Sequence, residues 1–259
     1  MDDPKSSKGY FELPGGVLYE QNGSTFPLKN VYMREMTGEE EDLLMNRKIS
    51  YEDRMIFLIA NCITSIDDGD QISVTDKSQI LKLVKDMMIV DLSYSILGAR
   101  KVSIGNQYSF KVTCPENECK KSFFQTYDLD NVPIIKPIEP ENIIWDVDLP
   151  GSGSTVKMKV MQAKDQKKAR QLLNAGDQSL MTTALMTRVI EIDGKPPTQA
   201  DLKKLPLKDR NKIRNSYQIK EGKIETDIDV VCNACDHRFT VSIEPQGIDF
   251  FFPSETQEF

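Results

Sequence analysis

Cys114-Pro-Glu-Asn-Glu-Cys119 and Cys232-Asn-Ala-Cys235 each place two cysteines on a short turn of this 259-residue chain. The runs that flank the two turns have strand character, and they are residues 108–113, 122–127, 229–231 and 238–242. Since a pair of thiolates on a tight turn supplies half of a tetrahedral zinc site, two pairs predict one closed structural site. The predicted Zn²⁺ ligands are Cys114, Cys119, Cys232 and Cys235.

The long interval between the two cysteine pairs indicates that the predicted metal has a structural role. In total 112 residues separate Cys119 from Cys232, so one shared ion would tie together distant parts of the chain. Four cysteine ligands leave no open coordination position for a reactive water. The Cys232–Cys235 spacing is typical of a zinc knuckle, whereas the spacing of the first pair is looser. Two alternatives stay open: His237 replaces one ligand, or the cysteines no longer bind metal.

The composition is that of a soluble globular protein. Hydrophobic residues make up 39% of the chain and charged residues 28%, and the net charge is -7. This acidity argues against nucleic acid as a partner, because phosphate binding needs a basic surface. No apolar run reaches the roughly 18 residues of a membrane span, and the first residues lack signal-peptide character. We therefore expect a cytoplasmic, reducing environment, and we expect Cys62 to be a small buried hydrophobe.

The two parts of the chain follow a similar plan. Both the segment from Tyr10 and the segment from Trp145 contain Leu-Pro-Gly, followed by a strand and a helix. Thr37 and Glu40 have the spacing of a capping box at the first such helix. The prediction is an α+β fold of two pseudo-repeated halves, with short antiparallel strands plus helices, joined by a split four-cysteine zinc ribbon. Chance similarity of the two parts is the alternative.

The first repeat is predicted to span residues 1–136 and to end in the knuckle 114–119. The second spans residues 137–259 and ends in the knuckle 232–235, after a proline-rich linker near 132–141. Further helices are predicted near residues 52–63, 77–97, 178–191, 198–204 and 207–217. The tail, residues 247–253, contains three consecutive phenylalanines, which either fill the core or anchor the chain in a partner.

Catalytic motifs are missing from the sequence. It has one histidine, no phosphate-binding glycine loop and no His-Glu-x-x-His zinc motif, so we do not expect an enzyme. A pocket lined by several carboxylates would revive a catalytic hypothesis.

The order of several segments resembles the baseplate hub assembly proteins of T-even-like, contractile-tailed bacteriophages. These segments are Leu13-Pro-Gly-Gly, Val31-Tyr-Met-Arg-Glu-Met-Thr-Gly-Glu-Glu-Glu, 53–63, 97–100, 207–214 and Asp249-Phe-Phe-Phe-Pro. The resemblance covers about residues 11–253. It implies a non-enzymatic protein that binds other tail proteins (hub, tape measure, tube), with an oligomeric arrangement in the baseplate. It also implies location in the host cytoplasm during assembly and in the virion tail baseplate.

A different hypothesis is a zinc-ribbon module that binds nucleic acid or the transcription machinery. It requires a basic face near the knuckles. Lys111, Lys120, Lys121 and Arg238 favour it, but they are interspersed with acidic residues, namely Glu116, Glu118 and Asp236.

Overall fold

The computed structural model describes residues 9–174, 179–243 and 250–252. In these ranges, antiparallel strands alternate with short helices, which confirms the α+β class. The strands are β1 (Tyr10–Gln21), β2 (Ser24–Met33), β3 (Ile63–Asp67), β4 (Ser73–Val74), β5 (Gln107–Thr113), β6 (Ser122–Asp128), β7 (Ile134–Ile135), β8 (Ile144–Asp148), β9 (Thr155–Lys159), β10 (Val189–Ile192), β11 (Lys223–Ile224), β12 (Asp227–Val231) and β13 (Arg238–Ser242). The α-helices are α1 (Gly38–Met45), α2 (Tyr51–Cys62), α3 (Lys77–Asp86), α4 (Ile89–Ser103), α5 (Asp165–Asn174), α6 (Leu180–Met186), α7 (Gln199–Lys204) and α8 (Leu207–Lys220).

Two sheets have the same pairing order. In the first sheet β1 pairs with β2, β2 with β3, and the short β4 extends the far edge. In the second sheet β8 pairs with β9 and β9 with β10. Separate two-stranded ladders join β5 to β6, β12 to β13, and β7 to β11, and every ladder is antiparallel.

The larger hydrophobic core draws residues from both ends of the chain. Leu58 and Ile59 of α2 are fully buried in it, together with Ile66 of β3. Val230 of β12 and the tail residue Phe251 belong to the same cluster. A second core lies under β8–β10 and α8. The C-terminal hairpin therefore packs with the first part of the chain, while the division at residues 136 and 137 remains a prediction.

The aromatic tail fills the core. Phe250 and Phe251 are each 1% exposed, which confirms the core interpretation for these two side chains. The fully buried guanidinium of Arg100 donates from Nε to the carbonyl oxygen of Phe250 at 2.9 Å and lies over the rings of Tyr108 and Phe250. Residues 247–249 and 253 of the predicted tail lie outside the described residues.

Two of the predicted helices differ from the structure. The predicted helix 77–97 is interrupted at Met87 and Met88, whose backbone is extended. Met87 is bonded to the second part of the chain instead, since Ala163 N–H donates to the Met87 oxygen at 2.9 Å. The predicted helix 178–191 ends early, and its last residues form β10, where Val189 pairs with Met158 of β9. β-branched residues favour such pairing over a helix.

An ion pair between the partly exposed Arg34 and the buried Glu40 fixes the junction between β2 and α1. The Arg34 guanidinium donates to both carboxylate oxygens of Glu40 at 2.8 and 2.9 Å, and Thr37 N–H donates to Glu40 at 2.9 Å. The Glu40 side chain is fully buried, and the predicted capping box is present. The hydrogen bond from Arg34 is the main reason that the pKa of Glu40 falls from 4.5 to about 2.

The second part of the chain repeats this junction with the same spacing. Lys159 at the end of β9 donates to both carboxylate oxygens of Asp165 at 2.7 Å, six residues further on. Gln162 N–H donates to Asp165 at 3.1 Å, as Thr37 N–H does to Glu40.

The two Leu-Pro-Gly segments are also held in a similar way. Gly15 N–H donates to the buried carboxylate of Asp91 at 2.8 Å, near the start of α4. Gly151 and Ser152 donate their N–H groups to the buried Asp209 at 2.5 and 2.8 Å, near the start of α8. In both parts, a carboxylate in the first turn of a long helix therefore holds the Leu-Pro-Gly segment, which is an irregular stretch of β1 in the first part and follows β8 in the second.

Replacing Glu40 by alanine should lower the free energy of unfolding by about 2 kcal/mol, because it leaves Arg34 and the Thr37 N–H without their shared acceptor. Urea unfolding followed by circular dichroism measures this. Glu41→Ala is the matched control, since Glu41 lies on the same helix turn and is exposed. It should change stability by less than about 0.5 kcal/mol. Equal effects of both substitutions would contradict a stabilising role for the buried Glu40 carboxylate.

The same pair predicts a pH dependence. Because the pKa of Glu40 is lowered in the folded protein, its ionised form stabilises the fold above pH 4.5. That contribution should disappear as the pH falls from 4.5 to about 2. The stability of Glu40→Ala should depend less on pH in this range than that of the wild-type chain. Parallel urea curves at several pH values test this expectation.

Candidate metal centre

Each cysteine pair lies at the tip of a hairpin. The last pairs of the two ladders are Thr113 with Ser122 and Val231 with Arg238. The first cysteine of each pair follows directly after its strand, so the ladder fixes the direction in which the chain enters the turn. The predicted strand–knuckle–strand arrangement is confirmed for both hairpins.

The two turns share their backbone hydrogen bonds despite their different lengths. Cys114 N–H donates to the Lys121 oxygen and Cys232 N–H to the His237 oxygen, both at 2.9 Å. In each case the acceptor lies two residues after the second cysteine. The second cysteine is followed by Lys120 with φ +47° and Asp236 with φ +56°, both in the left-handed region. The two additional residues of the first turn therefore lie between its cysteines and leave the exit from the turn unchanged.

The sequence drew attention to Lys120 and Asp236 only as charged residues near the knuckles, and their left-handed backbone was not predicted. Their shared signal is their position, one residue after the second cysteine of each turn. A left-handed residue at this point turns the chain back towards the second strand of the hairpin. The Lys120 ammonium also donates to the Pro115 oxygen at 2.7 Å, which closes the longer turn on itself.

The hairpins bring all four sulfur atoms together. The Sγ atoms of Cys114, Cys119, Cys232 and Cys235 all lie within 4.8 Å of one another. Two distances between the hairpins, Cys114 to Cys235 and Cys119 to Cys232, are 3.7 Å. A tetrahedral Zn²⁺ with Zn–S bonds of about 2.3 Å separates its sulfur ligands by about 3.8 Å. The donor set and its dimensions therefore fit a four-thiolate metal ion.

Burial and charge differ among the four thiols. Cys114 and Cys232 are fully buried, and Cys235 is exposed. The hydrogen bond from Ala234 N–H is the main cause that lowers the pKa of Cys232 to about 7, whereas burial raises the pKa of Cys114. Four thiolates in contact repel one another, so a divalent cation is the group that stabilises their joint ionisation.

His237 lies next to the sulfur cluster but is not part of it. Its Nδ1 is 3.6 Å from a carboxylate oxygen of Glu116, which belongs to the other turn, and its ring stacks on Phe239. Among the described residues, the cluster of side chains that could hold a metal ion contains the four cysteines and not His237. His237 thus contributes to the contact between the hairpins.

Cys62 lies outside the cluster of four sulfur atoms. It is fully buried in the larger core, as predicted, and burial raises the pKa of its thiol to about 12. A thiol that stays protonated is neither a good nucleophile nor a good ligand.

The double substitution Cys232→Ser/Cys235→Ser should abolish bound zinc and lower the melting temperature, because the hairpins lose their shared ligand. Elemental analysis of the purified protein and thermal circular dichroism measure the two effects. Cys62→Ala is the matched control and should retain the wild-type zinc content. Zinc content that is unchanged in the double variant would contradict a shared site.

Comparison with known proteins identifies the family. Residues 24–253 match the family model described as T4 bacteriophage base plate protein, and this range includes both hairpins. Neither the curated proteins nor the solved structures include a match. In the described part of the chain, none of the helices has the length and apolar character needed to cross a membrane. The matched range covers most of the 259 residues, so this chain belongs to the T4 bacteriophage base plate protein family.

Proposed function

We propose that this protein is a non-enzymatic component or assembly factor of the hub of a bacteriophage tail baseplate. The observation that supports this role is the family match over residues 24–253. Baseplate membership indicates a structural role in the phage tail, and the hub position is the proposed refinement. The protein is expected to join the tail in the host cytoplasm and to be located in the baseplate of the virion.

We further propose that Cys114, Cys119, Cys232 and Cys235 bind one structural Zn²⁺. The 3.7 Å separations between sulfur atoms of different hairpins support it, as does a donor set made only of thiols. Zinc held by four thiolates has a complete ligand shell, and its contribution is folding free energy. The ion would fix hairpin β12–β13 against hairpin β5–β6.

The two-part plan of the chain is proposed to be a duplication, with pseudo-repeats over residues 1–136 and 137–259. Three correspondences support it. The sheets β1–β3 and β8–β10 have the same pairing order, and the ion pairs Arg34–Glu40 and Lys159–Asp165 have the same spacing. The third correspondence is that each part ends in a cysteine hairpin. Each repeat would then contribute half of the zinc site.

Other tail proteins are the partners that baseplate membership implies. We propose that the partners are the hub, tape-measure or tube proteins. A nucleic-acid-binding zinc ribbon is the competing function. The carboxylate of Glu116 and the left-handed Asp236 lie at the knuckles among the lysines, so the local charge is mixed.

Affinity capture tests the proposed function. A tagged copy, expressed during infection by the native phage, should recover hub, tape-measure or tube proteins, identified by mass spectrometry. Cys62→Ala should recover the same proteins in the same amounts, because it leaves the cysteine hairpins intact. Cys232→Ser/Cys235→Ser should recover less, because the hairpins are no longer held together.

The same capture experiment can also contradict the proposal. Recovery of polymerase subunits or nucleic acid without any tail protein would overturn the baseplate role and favour the zinc-ribbon module.

A further inference from the structure

Strand β8 is an edge strand of the second sheet. Among the strands of the described ranges, it pairs with β9 alone. Val160 N–H donates to the Ile143 oxygen and Leu149 N–H to the Ser154 oxygen, both at 2.9 Å, which sets the phase of the ladder. Because antiparallel strands alternate their bonding direction, the backbone N–H and C=O groups of residues 144, 146 and 148 face away from β9. No hydrogen bond within the described ranges reaches these backbone groups.

A groove runs between this edge and helix α8. Its volume is about 660 Å³, and its α8 wall is lined by Lys212, Asn215, Ser216, Ile219 and Lys220. Trp145 also lines the groove, and its side chain is held in place. Its indole N–H donates to the Ser216 hydroxyl at 2.8 Å, and the Lys220 ammonium lies 5.2 Å from the ring centre.

One strongly exposed apolar side chain lines the groove, and a second lies on the edge strand beside it. Ile219 of α8 is 78% exposed and Ile144 of β8 is 55% exposed. Ile219 lines the groove opposite Trp145, and Ile144 lies at the start of the open edge. Exposed apolar groups beside unpaired backbone groups are a combination that strand addition would cover.

We propose that this groove binds an extended segment of a partner protein, which adds to the sheet as a strand beside β8 and carries alternating basic and apolar side chains. On one face, its basic side chains would lie opposite Asp146 and Asp148. On the other face, its apolar side chains would pack between Trp145 and Ile219. The proposal uses none of the four cysteines, so its failure leaves the proposed function standing.

The charge pattern of β8 selects this partner. On its paired side, Asp146 lies opposite Lys157, and Asp148 accepts a hydrogen bond from the Thr155 hydroxyl at 2.8 Å. Strand β9, which pairs with β8, has the sequence Thr-Val-Lys-Met-Lys, in which polar and apolar residues alternate. A second copy of β8 fits less well, because antiparallel pairing centred on Asp146 would oppose two carboxylates.

A labelled peptide with the sequence Thr-Val-Lys-Met-Lys-Val tests the proposal by fluorescence anisotropy with the full chain. It should bind at least tenfold more tightly than the same peptide with both lysines replaced by glutamate. Asp146→Pro should weaken binding at least tenfold, because proline removes an edge N–H that β9 does not use. Asp146→Asn is the matched control that keeps this N–H, and it should lose only the charge-dependent part of the affinity for the peptide.

A second variant keeps the test decisive if Asp146→Pro does not fold. Asp146→Lys/Asp148→Lys should reverse the preference, so that the glutamate peptide binds more tightly than the lysine peptide. Equal binding of both peptides by the wild-type chain would overturn the proposal, as would no binding up to about 1 mM. A dimer in light scattering that Asp146→Pro dissociates would assign the edge to a second copy and overturn the partner assignment.

Discussion

The contact between two distant cysteine hairpins is the constraint on which the architecture depends. Each hairpin presents two thiols, and the cluster of four sulfur atoms is complete only when β12–β13 returns to β5–β6. That return is consistent with the hydrophobic core, since Val230 and Phe251 pack with residues of α2 and β3. Burial of apolar area and the approach of the sulfur atoms therefore both favour the same position of the C-terminal hairpin.

Carboxylates near helix starts hold backbone N–H groups in both parts of the chain. Glu40 and Asp165 accept N–H groups just before their own helices, and Asp91 and Asp209 accept N–H groups from the Leu-Pro-Gly segments. A helix start offers free N–H groups and a partial positive charge, so a carboxylate is the group that satisfies both. The ion pairs Arg34–Glu40 and Lys159–Asp165 have the same six-residue spacing, and Asp91 and Asp209 both hold a Leu-Pro-Gly segment, so the proposed duplication rests on matching contacts.

Both sheets have an edge strand at the same place in the pairing order, and the edge at β8 bears on assembly. Among the described residues, β1 of the first sheet and β8 of the second each pair on one side only, while β4 extends the first sheet beyond β3. An unpaired edge is a liability for a free protein but a means of attachment for a protein that works inside an assembly. Asp146 and Asp148 limit this liability, because carboxylates repel a second copy of the same strand and leave the edge open to a basic one.

Much of the local structure could be predicted from the sequence, because it depends on neighbours along the chain. The capping box at Thr37, the α+β class and the hairpins that carry the cysteines are such features. The spacing of Cys232 and Cys235 also indicated a metal knuckle, since the turn alone aims both side chains. The buried state of Cys62 followed from the apolar run around it.

Other features were decided by tertiary structure, because they depend on contacts between residues far apart in the chain. The break between α3 and α4 is one, since backbone groups at Met87 and Ile89 bond to residues 161–163 rather than continuing a helix. The strand at Val189 is another, because it needs β9 as a partner. The 3.7 Å approach of sulfurs from different hairpins and the open edge of β8 belong to the same class. The sequence by itself determined which residues could serve as ligands and caps, and only packing across more than 100 residues of chain determined which of them meet.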